Sequence, residues 1–314
     1  MLRDRLISSA ILIAGTLLLL WLDLKHPLGS VVAVWLVPLL LFFSLGTAFD
    51  LATMLRASGR SISRRWVLVL AGMVTLSPCV PMLWPIFGSV YPADCPVGML
   101  GWIVVAVVSA VFLFLIREIL VYQPSGEGVL ARTLSGVFAS VYVGVPMALL
   151  VVIRSLGTTD FAVNGAVSVT WGLAALVTTI ATTKSSDAGA YFTGKTFGRH
   201  KLIPQLSPGK TWEGAVGGIA VAVLVSYGCF GWLIPALASV TNPAPWWGPI
   251  IFGTVCAITG LVGDLAESMV KRESKVKDSG KTLPGLGGVW DVTDSLIGAV
   301  MPAWIMLASG IAGS

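Results

Sequence analysis

The sequence predicts an all-α, polytopic integral membrane helical bundle with about nine transmembrane helices. Two observations predict it. Of 314 residues, 56% are hydrophobic and only 11% are charged, with a mean hydropathy of +0.89; a soluble domain carries about 25% charged residues. Several uncharged runs also reach the roughly 20 residues needed to cross a hydrocarbon core. Lipid leaves bare backbone groups unsatisfied, and the runs are continuously apolar rather than alternating, so they read as helices and not as barrel strands.

The spans fall at about 6–22, 31–48, 66–87, 98–116, 134–153, 165–182, 214–234, 248–268 and 295–312. The first follows Arg3 and Arg5 and lacks a small-x-small cleavage site, so it reads as an uncleaved anchor. Residues 214–263 carry no Asp, Glu, Lys or Arg; Pro235, Pro243, Pro245, Pro249 and the pair Trp246–Trp247 divide that run into two spans. With the N-terminus inside, 18 Lys and Arg fall on the cytoplasmic side and 2, Lys25 and Arg154, outside. That bias predicts an N-in/C-out orientation. The whole chain, 1–314, reads as one membrane-embedded domain. It has N-terminal helices over 1–160 and catalytic helices over 161–314, the latter with cytoplasmic loops at 183–213 and 269–294. The four cysteines show no CxxC spacing and read as small hydrophobes, with a Cys79–Cys95 bridge left open.

The chemistry concentrates in GDLAESMVKRESKVKDSGKTLPGLGGVWDVTDS, residues 263–295. Asp264, Glu267, Ser268 and Lys271 recur at i, i+3, i+4 and i+7, on one helical face. A carboxylate in a span costs about 2.5–3.5 kcal/mol at the centre, less near the end, so Asp264 needs a metal ion or the Lys271 ammonium. Asp291 and Asp294 form a second i, i+3 pair entering the last span. Alone, those two would suit a helix N-terminus. Two carboxylate pairs flanking one loop can instead converge on Mg²⁺, which favours one or two carboxylates plus substrate phosphate oxygens. Between them, Gly280, Gly285, Gly287 and Gly288 allow close backbone approach to a ligand, and Lys277 and Lys281 supply phosphate-neutralising charge.

The other loop, DAGAYFTGKTFGRHKLIPQLSPGKTWEG, reads as a second phosphate-facing segment. Its SPGKT is not a Walker loop, because the first glycine position is Pro204 and no strand in a βαβ unit precedes it. Asp187 is a candidate ligand or base. His200 and His26 lack the neighbours that histidine chemistry needs.

These residues resemble the CDP-diacylglycerol synthase (phosphatidate cytidylyltransferase) family. Ser268-xx-Lys271-Arg272, KDSG at 277–280, LPG at 283–285, Gly287–Gly288 and the two aspartates match one motif of that family. Asp187, Ala190, Tyr191, Gly194 and Gly198, followed by SPGKTWEG at 207–214, match the other. The family departures are Leu286 at the usual histidine of PGHGG, Val292 where a basic residue is common, and Gly209 where a second lysine is usual.

The resemblance implies that phosphatidic acid attacks the α-phosphorus of CTP, giving CDP-diacylglycerol and pyrophosphate. Such transfers depend on positioning and charge neutralisation. It implies Mg²⁺ held by Asp264 and Asp291, with a second monovalent or divalent cation, clamping an in-line displacement. Lys271, Arg272 and Lys277 would hold pyrophosphate, Asp278 and Asp294 would orient these groups or join the metal shell, and Ser268 belongs to the same catalytic set. Asp187, Tyr191, Ser207, Lys210, Gly280, Gly287 and Gly288 would bind substrate. The implied partners are CTP, phosphatidic acid, membrane lipid and a second copy in a homodimer; no nucleic acid is implied. An ion-coupled transporter is the rival reading, disfavoured because the acids sit at one face and no internal repeat is visible. A CDP-alcohol phosphotransferase lacks its DGxxAR pattern here. An enzyme acting on another lipid phosphate is the nearer alternative.

Overall fold

The computed structural model describes residues 2–26, 33–92, 94–122, 128–157, 169–238, 244–276, 279–280 and 282–312. Nine long helices are present among them: α1 Leu2–Lys25, α2 Val37–Ala57, α3 Arg64–Leu76, α5 Gly98–Leu120, α6 Val129–Arg154, α7 Val169–Phe197, α8 Trp212–Gly228, α10 Gly248–Glu273 and α11 Trp290–Ala308. Two short ones, α4 Leu83–Ile86 and α9 Ile234–Ala238, extend α3 and α8 through a 3₁₀ turn carrying Pro78 and Pro81 and a π turn at Cys229–Leu233. Among the described residues, eight helical segments are long and apolar enough to cross a membrane. The protein is an all-α, polytopic membrane protein, and the 214–263 run is divided as its prolines predict.

The sixth expected span, 165–182, is helical from Val169 on as part of α7, but α7 falls outside those eight, because Thr178, Thr179, Thr182, Thr183, Ser185 and Ser186 dilute its hydropathy. Several of its hydroxyls bond within the helix, Thr179 to the Ala175 carbonyl at 2.9 Å and Thr183 to the Thr179 carbonyl at 2.8 Å. Polar composition therefore does not end the helix. The expected loop 183–213 is corrected accordingly: helix continues to Phe197, and an antiparallel hairpin follows, β1 Lys201–Ile203 with β2 Ser207–Thr211. Asp187, Ala190, Tyr191 and Gly194 are helical residues, not loop residues. All four cysteines are free thiols.

The chain divides into two packed units. The first comprises Met1–Val151 and Val270–Thr293. Its core joins α2, α3, α5 and α6. Ser44 and Thr75 hydroxyls meet at 2.7 Å between α2 and α3, and Gly144 lets α6 settle against Val74 of α3. Gly136 of α6 rests on the Phe114 ring of α5. The returning segment docks on α2 through Thr47 and Thr293 (2.7 Å) and Ser274 to the Met54 carbonyl (2.9 Å). Trp290, 1% exposed, seals this joint edge-on to Tyr142. Helix α1 turns Leu6, Ile11, Ile13 and Leu17 outward, as a lipid-facing helix does.

The second unit comprises Val152–Met269 and Asp294–Ser314. Here α7 and α8 meet on small residues: Gly189 against Val221, Gly217 against Thr193, and Gly218 against Ser186 and Ala190. Such faces let helix backbones approach closely in a membrane, where burial of apolar surface between helices gains little. Helices α10 and α11 cross in the same way. A Cβ on Gly263 would enter the Asp294 carbonyl, and one on Gly298 the Thr259 carbonyl.

Candidate active site

The α10–α11 crossing at Gly263 and Gly298 decides the site, because it sets Asp294 beside the acidic face of α10. Asp264 and Glu267 stand one turn apart, and each of Asp264, Glu267 and Asp294 places a carboxylate oxygen within 4.8 Å of the others. Glu267 is 1% exposed and Asp294 8%. Three carboxylates gathered at such depth repel one another unless positive charge lies between them. The donor set is all carboxylate oxygen, the ligand chemistry of a hard cation.

Ammonium groups border this cluster. Lys210, on β2, reaches Asp264 Oδ2 at 2.7 Å. The sequence offered a metal ion or Lys271 to neutralise Asp264; the hairpin adds Lys210. Lys184 of α7 donates to Ser295 Oγ (2.7 Å) and Asp187 Oδ2 (3.3 Å), and lies 3.7 Å from Asp294 Oδ1. Ser295 in turn donates its hydroxyl to Asp187 Oδ2 (2.8 Å) and its N–H to Asp294 Oδ1 (2.6 Å). Asp187, Lys184, Ser295 and Asp294 thus form one chain of charge-assisted hydrogen bonds that fixes the Asp294 carboxylate. Neither Lys184 nor Ser295 was singled out as a site residue from sequence. Lys184 at three residues before Asp187 was the available signal.

Beside the cluster lies a cavity of about 520 Å³, into which Asp187, Tyr191, Ser207, Lys210 and Asp264 face. Lys195 and Lys201 add charge, while Ile219, Ala257, Ile258 and Leu261 make an apolar wall. All four second-segment residues expected to bind substrate therefore line one cavity. The hairpin is held there locally. Thr211 caps α8 by accepting from Gly214 N at 3.1 Å, and Glu213 accepts from the N–H groups of Arg199 and His200. His200 Nδ1 contacts Glu213 Oε1 at 2.6 Å, a neighbour the sequence had not offered. The motif glycines Gly194 and Gly198 leave room for Thr211, and Gly194 also lines the cavity.

The glycine-rich 279–290 segment of the first unit has a different construction. Asp291 receives four donors: Lys271 Nζ on Oδ1 (2.7 Å), and Ser279 Oγ (2.7 Å), Gly288 N (2.7 Å) and Ser279 N (3.3 Å) on Oδ2. Asp50 of α2 accepts from Trp290 N at 3.1 Å and from the Val289 N–H and the Thr282 hydroxyl. Gly280 and Gly288 pack on the Asp50 carboxylate, and Gly287, at φ +99°, packs on Asp291. These glycines approach the chain's own carboxylates. Asp50 was missed because it follows the expected second span as an isolated acid between Phe49 and Leu51. Ser268 is half-buried on α10 and Arg272 is exposed at its end. Lys277 and Asp278 lie outside the described residues.

A family model described as the cytidylyltransferase family matches residues 3–309, nearly the whole chain. The chain belongs to the cytidylyltransferase family. Proteins named phosphatidate cytidylyltransferase are similar to part of it. The Haemophilus influenzae protein is 44% identical over 116 residues, covering 37% of this chain and 39% of its own length. The Brucella suis protein is 43% identical over 129 residues (41% and 45%), and that of Mycobacterium bovis 36% over 123 residues (39% and 38%). The chain thus aligns with about two fifths of the length of these curated relatives.

Proposed function

We propose that this protein is a phosphatidate cytidylyltransferase, converting CTP and phosphatidate to CDP-diacylglycerol and pyrophosphate in a bacterial inner membrane, with the site open to the cytoplasm. The single observation that carries this reading is the convergence of Asp264, Glu267 and Asp294 beside a cavity that is cationic on one side and apolar on the other. A lipid phosphate and a nucleotide triphosphate both need neutralised phosphates, and only the lipid needs the apolar wall. The names of the relatives favour phosphatidate over another lipid phosphate. An N-in orientation, supported by the 18:2 count, puts CTP on the side where it is made.

A divalent cation, Mg²⁺ by the sequence reading, would be held by Asp264, Glu267 and Asp294 and would neutralise charge on the phosphate oxygens. The chain's own groups do the remaining positioning. Lys210, tied to Asp264, is placed to accompany an anionic phosphate into the cavity, with Lys195 and Lys201 at its edge. Lys184 and Ser295 keep Asp294 and Asp187 oriented. A phosphatidate oxygen forms a bond to the CTP α-phosphorus as the bond from that phosphorus to the bridging oxygen breaks, and pyrophosphate leaves with the electron pair. Lys271, Arg272, Lys277, Asp278 and Ser268 remain candidates for pyrophosphate contact, and a homodimer is carried from the family resemblance alone.

Labelled CTP offered to the purified protein with a panel of lipid phosphates tests the reading. Incorporation with phosphatidate is expected to exceed that with other lipid phosphates. Incorporation into none of them, with intact protein, would refute it.

A further inference from the structure

A second group of charges lies in the first unit and serves none of the roles above. Helix α2 ends in a turn built for sharp reversal: Gly59 N bonds the Arg56 carbonyl (3.1 Å) and Arg60 N the Leu55 carbonyl (3.1 Å), with Gly59 at φ +90°. That is a Schellman closure, and it requires the left-handed backbone that glycine adopts without strain. The reversal sets Arg56 and Arg60 on one hollow, which Arg117 at the end of α5 completes. Its volume is about 410 Å³, and Gly59, Ser61, Ile62 and Ser63 supply the rest of the lining, with no carboxylate among them. A neighbouring hollow shares Gly59, Arg60 and Ser61 and adds Arg132, Ala131 and Leu134.

The arginines are only partly neutralised. Arg60 pairs with Glu273 at 2.6 Å, both well exposed, so that pair is weak. Glu118, 2% exposed, is shared between Arg117 and Arg132. Arg56 has no ion-pair or hydrogen-bond partner for its side chain among the described residues. Ser63 precedes α3 without a side-chain cap, which leaves the first N–H groups of α3 as additional donors. An apolar surface lies beside the hollow. Ile116, Ile119, Leu120, Leu130 and Leu134 at the adjoining ends of α5 and α6 are 49–79% exposed, a face suited to lipid tails.

We propose that this arginine hollow binds the phosphate of an anionic phospholipid headgroup, with the lipid's tails against the exposed ends of α5 and α6. Planar guanidinium groups suit phosphate oxygens, and basic pockets between transmembrane helices suit anionic headgroups. The shared chemistry is a phosphate anion; the apolar surroundings select the lipid as its source.

The test is native mass spectrometry of the full chain in detergent, offered phosphatidylglycerol, phosphatidylcholine or inorganic phosphate. Wild type is expected to retain phosphatidylglycerol over phosphatidylcholine. Arg56→Gln/Arg60→Gln is expected to lose at least about tenfold in that preference, the equivalent of one charge-assisted bond, and Arg56→Lys to lose less. Circular dichroism identifies a misfolded double variant, in which case Arg56→Gln alone gives the reading. Equal retention of both lipids by wild type, or undiminished preference in the variant, would overturn the proposal. So would binding of inorganic phosphate without phosphatidylglycerol, which would make this a free-anion site.

Discussion

In the 279–291 segment the donors gather round each carboxylate, whereas at the α10–α11 crossing the carboxylates gather round one another. Asp291 has four donors and Asp50 three, with glycines trimmed to fit against both. Asp264, Glu267 and Asp294 share one point, bordered by Lys210 and Lys184. The same side chain therefore performs two tasks. Asp291 and Asp50 are surrounded by donors, while Asp264, Glu267 and Asp294 are set against one another, an arrangement whose oxygen donors suit a hard cation. The comparison teaches that acidic residues in a membrane protein are sorted by what surrounds their oxygens, not by their spacing in the chain.

The largest effects are expected at the crossing. Asp264→Asn, Glu267→Gln and Asp294→Asn should each lower turnover by about 10³-fold, roughly 4 kcal/mol of lost charge stabilisation, while the protein remains inserted and folded. Steady-state assays across a Mg²⁺ series check this. Near-normal turnover in all three would break the comparison at its stronger end.

Asp291→Asn should act differently. It removes one half of an ion pair whose side chains are 16–17% exposed and keeps part of the hydrogen bonding. A loss of about 1–3 kcal/mol in stability is expected, read as a lower Tm, with the Mg²⁺ concentration for half-maximal activity unchanged. If that concentration rises as it does for Asp264→Asn, Asp291 shares the cation as its spacing suggests.

These two residues show how much was legible in the sequence. Continuous apolar runs and interfacial prolines disclosed the bundle, and i, i+3 spacing disclosed the face shared by Asp264 and Glu267. The association of Asp294 with that face depends on helix crossing at Gly263 and Gly298, which no local pattern encodes. Asp50 was silent for a related reason: its partners, Thr282, Val289 and Trp290, are more than 200 residues away in the chain. The expected loop began at 183, yet α7 runs on to Phe197, with the Thr183, Thr193 and Thr196 hydroxyls bonded to carbonyls one turn earlier.

Smaller effects separate the glycines. Gly288→Ala would press a methyl onto Ser279 Oγ and Asp50 Oδ2, and Gly280→Ala onto Asp50 Oδ1. Each should cost about 1–3 kcal/mol by overpacking. Gly209→Ala, with open space at its Cβ, should change stability by no more than about 0.5 kcal/mol. Thermal unfolding in one detergent orders the three, and a Gly209 effect as large as that of Gly288 would remove the packing explanation.

The central assertion is that the cation belongs to Asp264, Glu267 and Asp294, and Mn²⁺ binding followed by electron paramagnetic resonance tests it without recourse to activity. The account predicts that bound Mn²⁺ disappears in Asp264→Asn and Glu267→Gln and persists in Asp291→Asn. Bound Mn²⁺ that survives the first two substitutions and vanishes with the third would contradict it.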